Sequence, residues 1–309
     1  MPVGRVLTKS LALAALSATT TVHAAAPTEE PQIQSYSIDY EIKAVTDRRT
    51  RGVSDTYNRA GAEFTLNAAH ESGLLGYLQI GSVSKTLFPA GNGATITGAV
   101  GYRSGDPERL HYGVGIAKEW FPGAHAEAPT GVHWETTAAT GVPSFTGMVD
   151  TRFDTSYLVA ELGWGRLEGR YLYVLSRDFR GNNTATLCGS TYLMPALMGG
   201  DPTQAINCYG NGLQHSGGTH LLDLDYKYPL NGQTKLIAHL GYQKVKHFAG
   251  LDGWDYRLGV VHTRWGLDFS ADLLGAALRN RDFANVADAN GHTRRVDSAT
   301  VVLGIAKRF

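Results

Sequence analysis

The sequence predicts an all-β protein, an antiparallel transmembrane β-barrel of about twelve strands with short periplasmic turns and long extracellular loops. Three observations lead there. Hydrophobicity alternates with period two in segment after segment, the mark of strands with two unlike faces. The connections between those segments alternate short and long. After the N-terminus, no stretch approaches the roughly 18 continuous apolar residues a membrane-spanning helix needs.

The N-terminus reads as a secretory signal. Arg5 and Lys9 give a positive start, Leu11 to Leu16 a short apolar core, and Val22-His23-Ala24 a small-residue cleavage site, with Ala25 and Ala26 as alternatives. Residues 1–24 are therefore expected to be a cleaved signal peptide, 25–34 a short disordered linker and 35–309 the barrel.

Strands are expected near 35–46, 59–69, 74–83, 93–104, 110–121, 154–165, 167–178, 217–229, 233–246, 253–263, 265–280 and 295–309. Each is close to the roughly ten residues that a tilted membrane strand requires. In the first, Tyr36, Ile38, Tyr40 and Ile42 share one face, and Ser37, Asp39, Glu41 and Lys43 the other. The same pattern sets Leu222, Leu224, Tyr226 and Tyr228 against Asp223, Asp225 and Lys227. Leu74 to Val83 and Leu167 to Asp178 carry apolar residues on both faces, so either could slip by one residue and exchange faces.

Short connections fall at His70–Gly73, Ser104–Arg109, Gly165–Arg166, Pro229–Gln233 and Arg264. Long ones fall at Asp47–Asn58, Ser84–Asn92, Pro122–Phe153, Phe179–Ser216 and Arg281–Arg294, with His247–Asp252 brief among them. A bacterial outer-membrane barrel sorts its loops this way, and a soluble sandwich has no reason to. Trp120, Phe121, Trp164, Phe179, Phe248, Trp254 and Trp265 stand near strand ends, where aromatic girdles meet the bilayer interface. The chain closes on Val301, Leu303, Ile305 and Phe309; a terminal Phe on an alternating strand resembles the signal read by the outer-membrane assembly machinery, although Lys307 departs from that pattern.

Composition narrows the function. Basic and acidic residues balance at 28 each, which argues against a nucleic-acid partner. Cys188 and Cys208 are the only cysteines and are expected to pair in an oxidising compartment, stiffening one loop. There is no P-loop, dinucleotide fingerprint, HExxH or GxSxG, and His70-Glu71-Ser72 and His215-Ser216 read as polar turn and loop residues. The sequence thus predicts neither an enzyme nor a cofactor or metal site.

Alternation assigns Asp39, Glu41, Lys43, Glu63, Arg103, Glu161, Glu168, Arg170, Asp223, Asp225, Lys227, Lys235, Arg257, Asp268 and Asp272 to the lumen. One reading is a hydrated pore whose modest acidic excess gives weak cation preference. The other is a narrow barrel filled by salt bridges. Loops Pro122–Phe153 and Phe179–Ser216 are the candidates for a constriction, and Arg48, Arg49 and Arg51 of the first external loop are solvated charges or contacts for lipopolysaccharide phosphates. The expectation is a porin-like channel in the outer membrane of a Gram-negative bacterium, passing small hydrophilic solutes by diffusion. Its surroundings would be outer-membrane lipid and lipopolysaccharide. The alternative is a non-conducting structural or surface-interaction barrel.

Several stretches resemble the TorF family of proteobacterial porins. They are Thr46-Asp47-Arg48 through Arg51-Gly52-Val53-Ser54-Asp55-Thr56 with Phe64 and His70-Glu71-Ser72-Gly73, then Trp120-Phe121-Pro122-Gly123-Ala124. Ser176-Arg177-Asp178-Phe179 follows Tyr171 and Tyr173, and Tyr228-Pro229-Leu230 precedes His239-Leu240-Gly241-Tyr242. The resemblance spans most of the mature chain and implies an outer-membrane barrel with a porin label and no known substrate. The Cys188–Cys208 loop looks like an elaboration beyond it.

Overall fold

Alternating faces need a surface that is polar on one side and apolar on the other, and a ring of strands provides it. The computed structural model describes residues 35–134 and 143–309, so the expected signal peptide and linker lie outside the described residues. Twelve long strands form the wall: β1 (Tyr36–Val45), β2 (Gly61–His70), β3 (Leu74–Ser82), β4 (Ala94–Gly105), β5 (Leu110–Trp120) and β6 (Thr155–Trp164). They continue as β7 (Leu167–Val174), β8 (His220–Pro229), β9 (Thr234–Lys244), β10 (Gly253–Arg264), β11 (Leu267–Leu278) and β12 (Thr300–Arg308).

Each strand pairs antiparallel with its sequence neighbours, and β1 pairs with β12 to close the barrel. All the expected strands are present, with ends that differ by up to a few residues. The last begins at Thr300 rather than near 295, because Thr293–Arg295 instead pairs with Asn285–Ala287 in a separate small hairpin. The two ambiguous segments settle in register. In β3, Leu74 and Ile80 face outward while Leu75 and Tyr77 pack inside against Ala69 and Ala99. In β7, Tyr171 faces outward and Val174 inward, beside Leu221.

The outer face carries Ile38, Ile42, Val100, Tyr112, Val114, Ile116, Leu162, Leu222, Leu258 and Val301, all exposed. Soluble monomers rarely expose so large a contiguous apolar patch, so this belt requires an apolar surrounding. No described helix is long and apolar enough to cross a membrane, and the strands have the right length to do so. Trp164, Trp265, Trp254 and Trp120 are exposed at strand ends. Phe121 and Phe179 depart from the expected girdle. Phe121 is buried in a stack on Phe88, with ring centres 4.3 Å apart, and Phe179 is buried edge-on against Tyr157. Phe121 directly follows β5 and Phe179 lies five residues past the end of β7, both already in their loops, and Phe248, also expected in the girdle, packs half-buried against the same loop cluster as Phe179.

The connections separate by end. Short turns lie on one side together with the C-terminus and the start of β1. The tightest is Trp265-Gly266, both with positive φ, as a two-residue type I′ hairpin demands. Long loops lie on the other side. The loop between β7 and β8, expected as a long connection, holds short helices at Thr184–Cys188, Met194–Leu197 and Thr203–Tyr209. They pack a small core of Leu193, Ala196, Ala205 and Tyr209, and Cys188 is joined to Cys208 with Cα atoms 5.7 Å apart. The helices are too short to leave a readable period in sequence. Asn183 starts the first by accepting from the Thr186 amide at 3.1 Å in a capping box.

Candidate functional site

The fifteen residues assigned to the lumen all lie on the inward face, buried or half-buried, opposite the apolar belt. Toward the short-turn end, Arg308 bridges Glu41 at 2.9 Å and Asp268 at 2.6 Å, with half-buried Asp39 and Lys235 on the same inward face. Arg103 pairs with Glu161 and lies 4.0 Å from Glu168; half-buried Lys227 faces inward next to them. Lys43 stands beside Glu63 in register, and Glu63 accepts from Gln79 at 2.8 Å. Midway, Arg257 forks onto Asp272 at 2.8 and 3.0 Å, and Arg170 pairs with Asp225 at 2.5 Å. His239 joins Asp225 to Asp255, 2.9 Å from each.

The long-loop end is built differently, because two loops enter it. Residues 46–60 fold inward as a small hairpin, Arg49–Thr50 against Val53–Ser54. Its turn is Arg51-Gly52, both at positive φ. Gly52 lies so close to the wall that a Cβ there would sit 2.2 Å from the Gly275 carbonyl oxygen in β11. Arg51, at the tip, pairs with Asp223, sits 3.2 Å from Asp255, and donates to the Tyr242 carbonyl at 3.0 Å. The expected solvated or lipopolysaccharide-facing role of Arg48, Arg49 and Arg51 is therefore corrected. Arg48 is buried against Asp55 at 2.6 Å, in space that a side chain at Gly81 would fill. Arg49 holds Asp47 at 2.6 Å and the Ser298 carbonyl at 2.7 Å. Arg48–Asp55 and Arg49–Asp47 are pairs within the loop that brace the hairpin, and Arg51 is the arginine that anchors it to wall carboxylates.

The second loop contributes Arg180, also followed by glycine and also at positive φ with it. Its Nη2 lies 2.9 Å from Asp55 and 3.2 Å from Glu119, and its guanidinium rests over the Phe121 ring at 5.2 Å. Asp55 thus takes Arg48 and Thr50 on one oxygen and Arg180 on the other. Burial alone would raise its pKa, but Arg180 and Arg48 outweigh it, helped by the Thr50 hydroxyl, and hold the carboxyl below the usual carboxylate range. The arrangement clasps loop to loop and both to the wall. It leaves a cavity of about 320 Å³ beside the hairpin, bordered by Glu63, Glu119, Asp223, Asp255, Arg170 and Arg180.

Of the two loops expected to constrict the lumen, Phe179–Ser216 sends Arg180 inward, but the hairpin that crosses the lumen belongs to the first loop. His111, Glu119, Asp255 and Arg308 also face inward and were absent from the lumen set. Each stands at an inward parity of its strand, so the alternation rule extended to the strand ends would have found them. Arg51 and Arg180 have only their Arg-Gly dipeptides as a signal. His70 and Ser72 lie 2.8 Å apart in an exposed turn. The Ser216 hydroxyl is committed to the Asn182 carbonyl at 2.5 Å, with the Phe179 amide donating to it. Among the described residues no group of three or more His, Cys, Asp or Glu is placed to hold a metal ion.

No curated protein matches the chain. Among solved structures it is similar to the NanC porin, with a TM-score of 0.44 and 8% identity over 87% of this chain and 98% of the other. It is similar to the KdgM porin, with a TM-score of 0.41 and 7% identity over 88% and 98%. It is also similar to the Pseudomonas putida toluene transporter TodX, with a TM-score of 0.39 and 10% identity over 89% and 88%. Likeness this remote says nothing about cargo. Residues 29–309 match the model of a family described as bacterial protein of unknown function, Gcw_chp, and the chain belongs to that family.

Proposed function

We propose that this protein is an outer-membrane channel of a Gram-negative bacterium that passes small hydrophilic solutes by diffusion, through a lumen narrowed by the 46–60 hairpin. The observation that carries this is the charged interior. Ionic side chains line it from Arg308 at the short turns to Asp223 and Glu119 at the long loops, and a cavity of about 320 Å³ remains beside the hairpin. A barrel that served only as a scaffold could fill its core more cheaply with apolar side chains, since buried ion pairs give little net stability. The apolar belt would lie in lipid, with the long loops outward beside lipopolysaccharide. The stretches shared with the TorF-type porins favour the same reading. The wall's acidic excess is offset by Arg51, which meets Asp223 and Asp255, and by Arg180, which meets Glu119, so selectivity for cations should be weak.

Conductance of the refolded mature chain in a planar bilayer under a salt gradient tests this. Discrete steps of small amplitude with a slight cation preference are the expected result. A folded but silent barrel would sink the diffusion reading. It would favour the second one, a plugged barrel with a structural or surface-binding role. The chain of pairs Arg48–Asp55–Arg180–Glu119 across the lumen is what speaks for that alternative.

A further inference from the structure

At the long-loop end lies a second cavity, about 510 Å³, which the lumen does not explain. Three separate loops build it: residues 184–214, residues 247–250 and residues 280–283. Asn280 ties them together. Its Nδ2 donates to the Tyr192 hydroxyl at 2.8 Å, its Oδ1 accepts from the Asp282 amide at 3.0 Å, and its own amide donates to the Gly250 carbonyl at 2.8 Å. Cys208, in the wall, is tethered to Cys188. The Gln214 amide donates to the Thr184 hydroxyl at 2.9 Å.

The lining is of two kinds. Gln204, Asn207, Asn211 and Gln214 bring carboxamides. Tyr192, Phe248 and Phe283 bring rings, with Tyr192 and Phe283 edge to face at 5.9 Å between centres. Among the described residues that line it there is no lysine or arginine, and Asp282, His247 and Tyr192 are the ionisable side chains. A carboxamide offers a donor and an acceptor side by side, the complement of vicinal hydroxyls. A ring face covers the C–H face of a pyranose. An anionic ligand would call for arginine or lysine. Gln204, Asn207 and Asn211 are exposed, and a purely apolar ligand covering them would strip their water without replacing its hydrogen bonds. The volume falls in the ordinary range for small-molecule sites, roughly 300–1,000 Å³.

We propose that this cavity binds an uncharged saccharide, either a free oligosaccharide or the neutral glycan of an envelope polysaccharide. The site stands whether or not the lumen conducts. Phe283, half-buried beside Tyr192, is the ring assigned to the sugar's C–H face, and Gly250 sets its position. A Cβ on Gly250 would come within 2.5 Å of Phe283 Cε2.

The test is binding of the full mature protein in detergent to immobilised maltotriose, cellotriose, chitotriose and polysaccharide from the host envelope, with trigalacturonate as the acidic control. At least one uncharged probe should bind, at about tenfold or better preference over trigalacturonate. Phe283→Ala, and the exposed pair Gln204→Ala with Asn211→Ala, should each weaken it by about tenfold while the barrel keeps its heat-modifiable migration on gels. Gly250→Ala should weaken it less. Binding by the trisaccharides alone identifies a free sugar, and binding by the polysaccharide alone identifies the envelope glycan; either supports the site. The proposal is overturned if no uncharged probe binds, if trigalacturonate is preferred, or if the variants bind as the parent does.

Discussion

The two ends of the lumen are charged by different means. Toward the short turns, the partners are all on the wall: Glu41, Arg308 and Asp268 come from β1, β12 and β11, and Arg103 and Glu161 from β4 and β6. Toward the long loops, wall carboxylates such as Asp223, Asp255 and Glu119 meet arginines that the loops supply. In the first kind of pair both partners stand on strands whose register fixes where each side chain starts. The second depends on loops that can in principle leave. The difference places any adjustable part of the passage at the long-loop end, and it makes the two ends separable by mutation.

The largest effect is expected from replacing Arg49–Ser54 with a short Gly-Ser linker. Conductance should rise several-fold and cation preference should strengthen, because Asp223 and Asp255 lose the guanidinium that offsets them. Planar-bilayer recordings of parent and variant decide it. An unchanged step size would mean that the hairpin does not set the narrowest point.

Next in size is the clasp at Asp55. Changing Asp55→Asn leaves Arg48 buried without its carboxylate and Arg180 with Glu119 alone, and breaking a buried pair costs roughly 3–5 kcal/mol. Amide exchange across residues 47–57 should accelerate by about a hundredfold or more, with strands β8 to β11 unaffected. The same clasp gives a pH dependence. The Asp55 carboxyl is held below its ordinary value, so its contribution is fully present above about pH 3.9 and is lost as pH falls through the lower folded-state value. Protection of these amides should therefore survive at pH 5 and fail only in strong acid. Loss of protection near pH 5 would show that another group holds the loop.

The smallest effect on the barrel is expected from the disulfide. Cys188→Ser with Cys208→Ser opens a link spanning 20 residues, worth about 3 kcal/mol to the loop by chain entropy. Limited proteolysis should cut within 184–214 much sooner, while the unfolding transition of the wall barely moves. A wall that melts early in this variant would break the separation between loop and barrel.

The same contrast explains what could be read from the sequence. The wall was legible because a strand in a barrel repeats one rule at every second residue; all twelve strands and the inward set from Asp39 to Asp272 follow from it. Loops obey no such period. Arg51 looked like a solvent-facing charge because nothing adjacent in sequence announces Asp223, 172 residues away. The Arg-Gly pairs at 51–52 and 180–181 mark turns with positive φ, but a turn signal does not say which way the turn points. Phe121 and Phe179 misled for a similar reason, since an aromatic near a strand end fits the interface and the loop core equally well.

Eleven of the barrel's twelve seams join neighbours along the chain, and one joins its two ends. At that seam Glu41 meets Arg308, 267 residues later, both through the strand register and through an ion pair. Closing a loop of that length costs about 4 kcal/mol more chain entropy than closing a turn of a few residues. The ring must meet that cost at a junction shorter than its neighbours, with five residue pairs in register from Glu41 to Val45. Tyr40 adds a further hold there, with its ring stacked on that of the terminal Phe309 at 4.9 Å. The contact in the wall that links the residues farthest apart in the chain is thus the β1–β12 seam, held by five paired residues, the Glu41–Arg308 ion pair and the Tyr40–Phe309 stack.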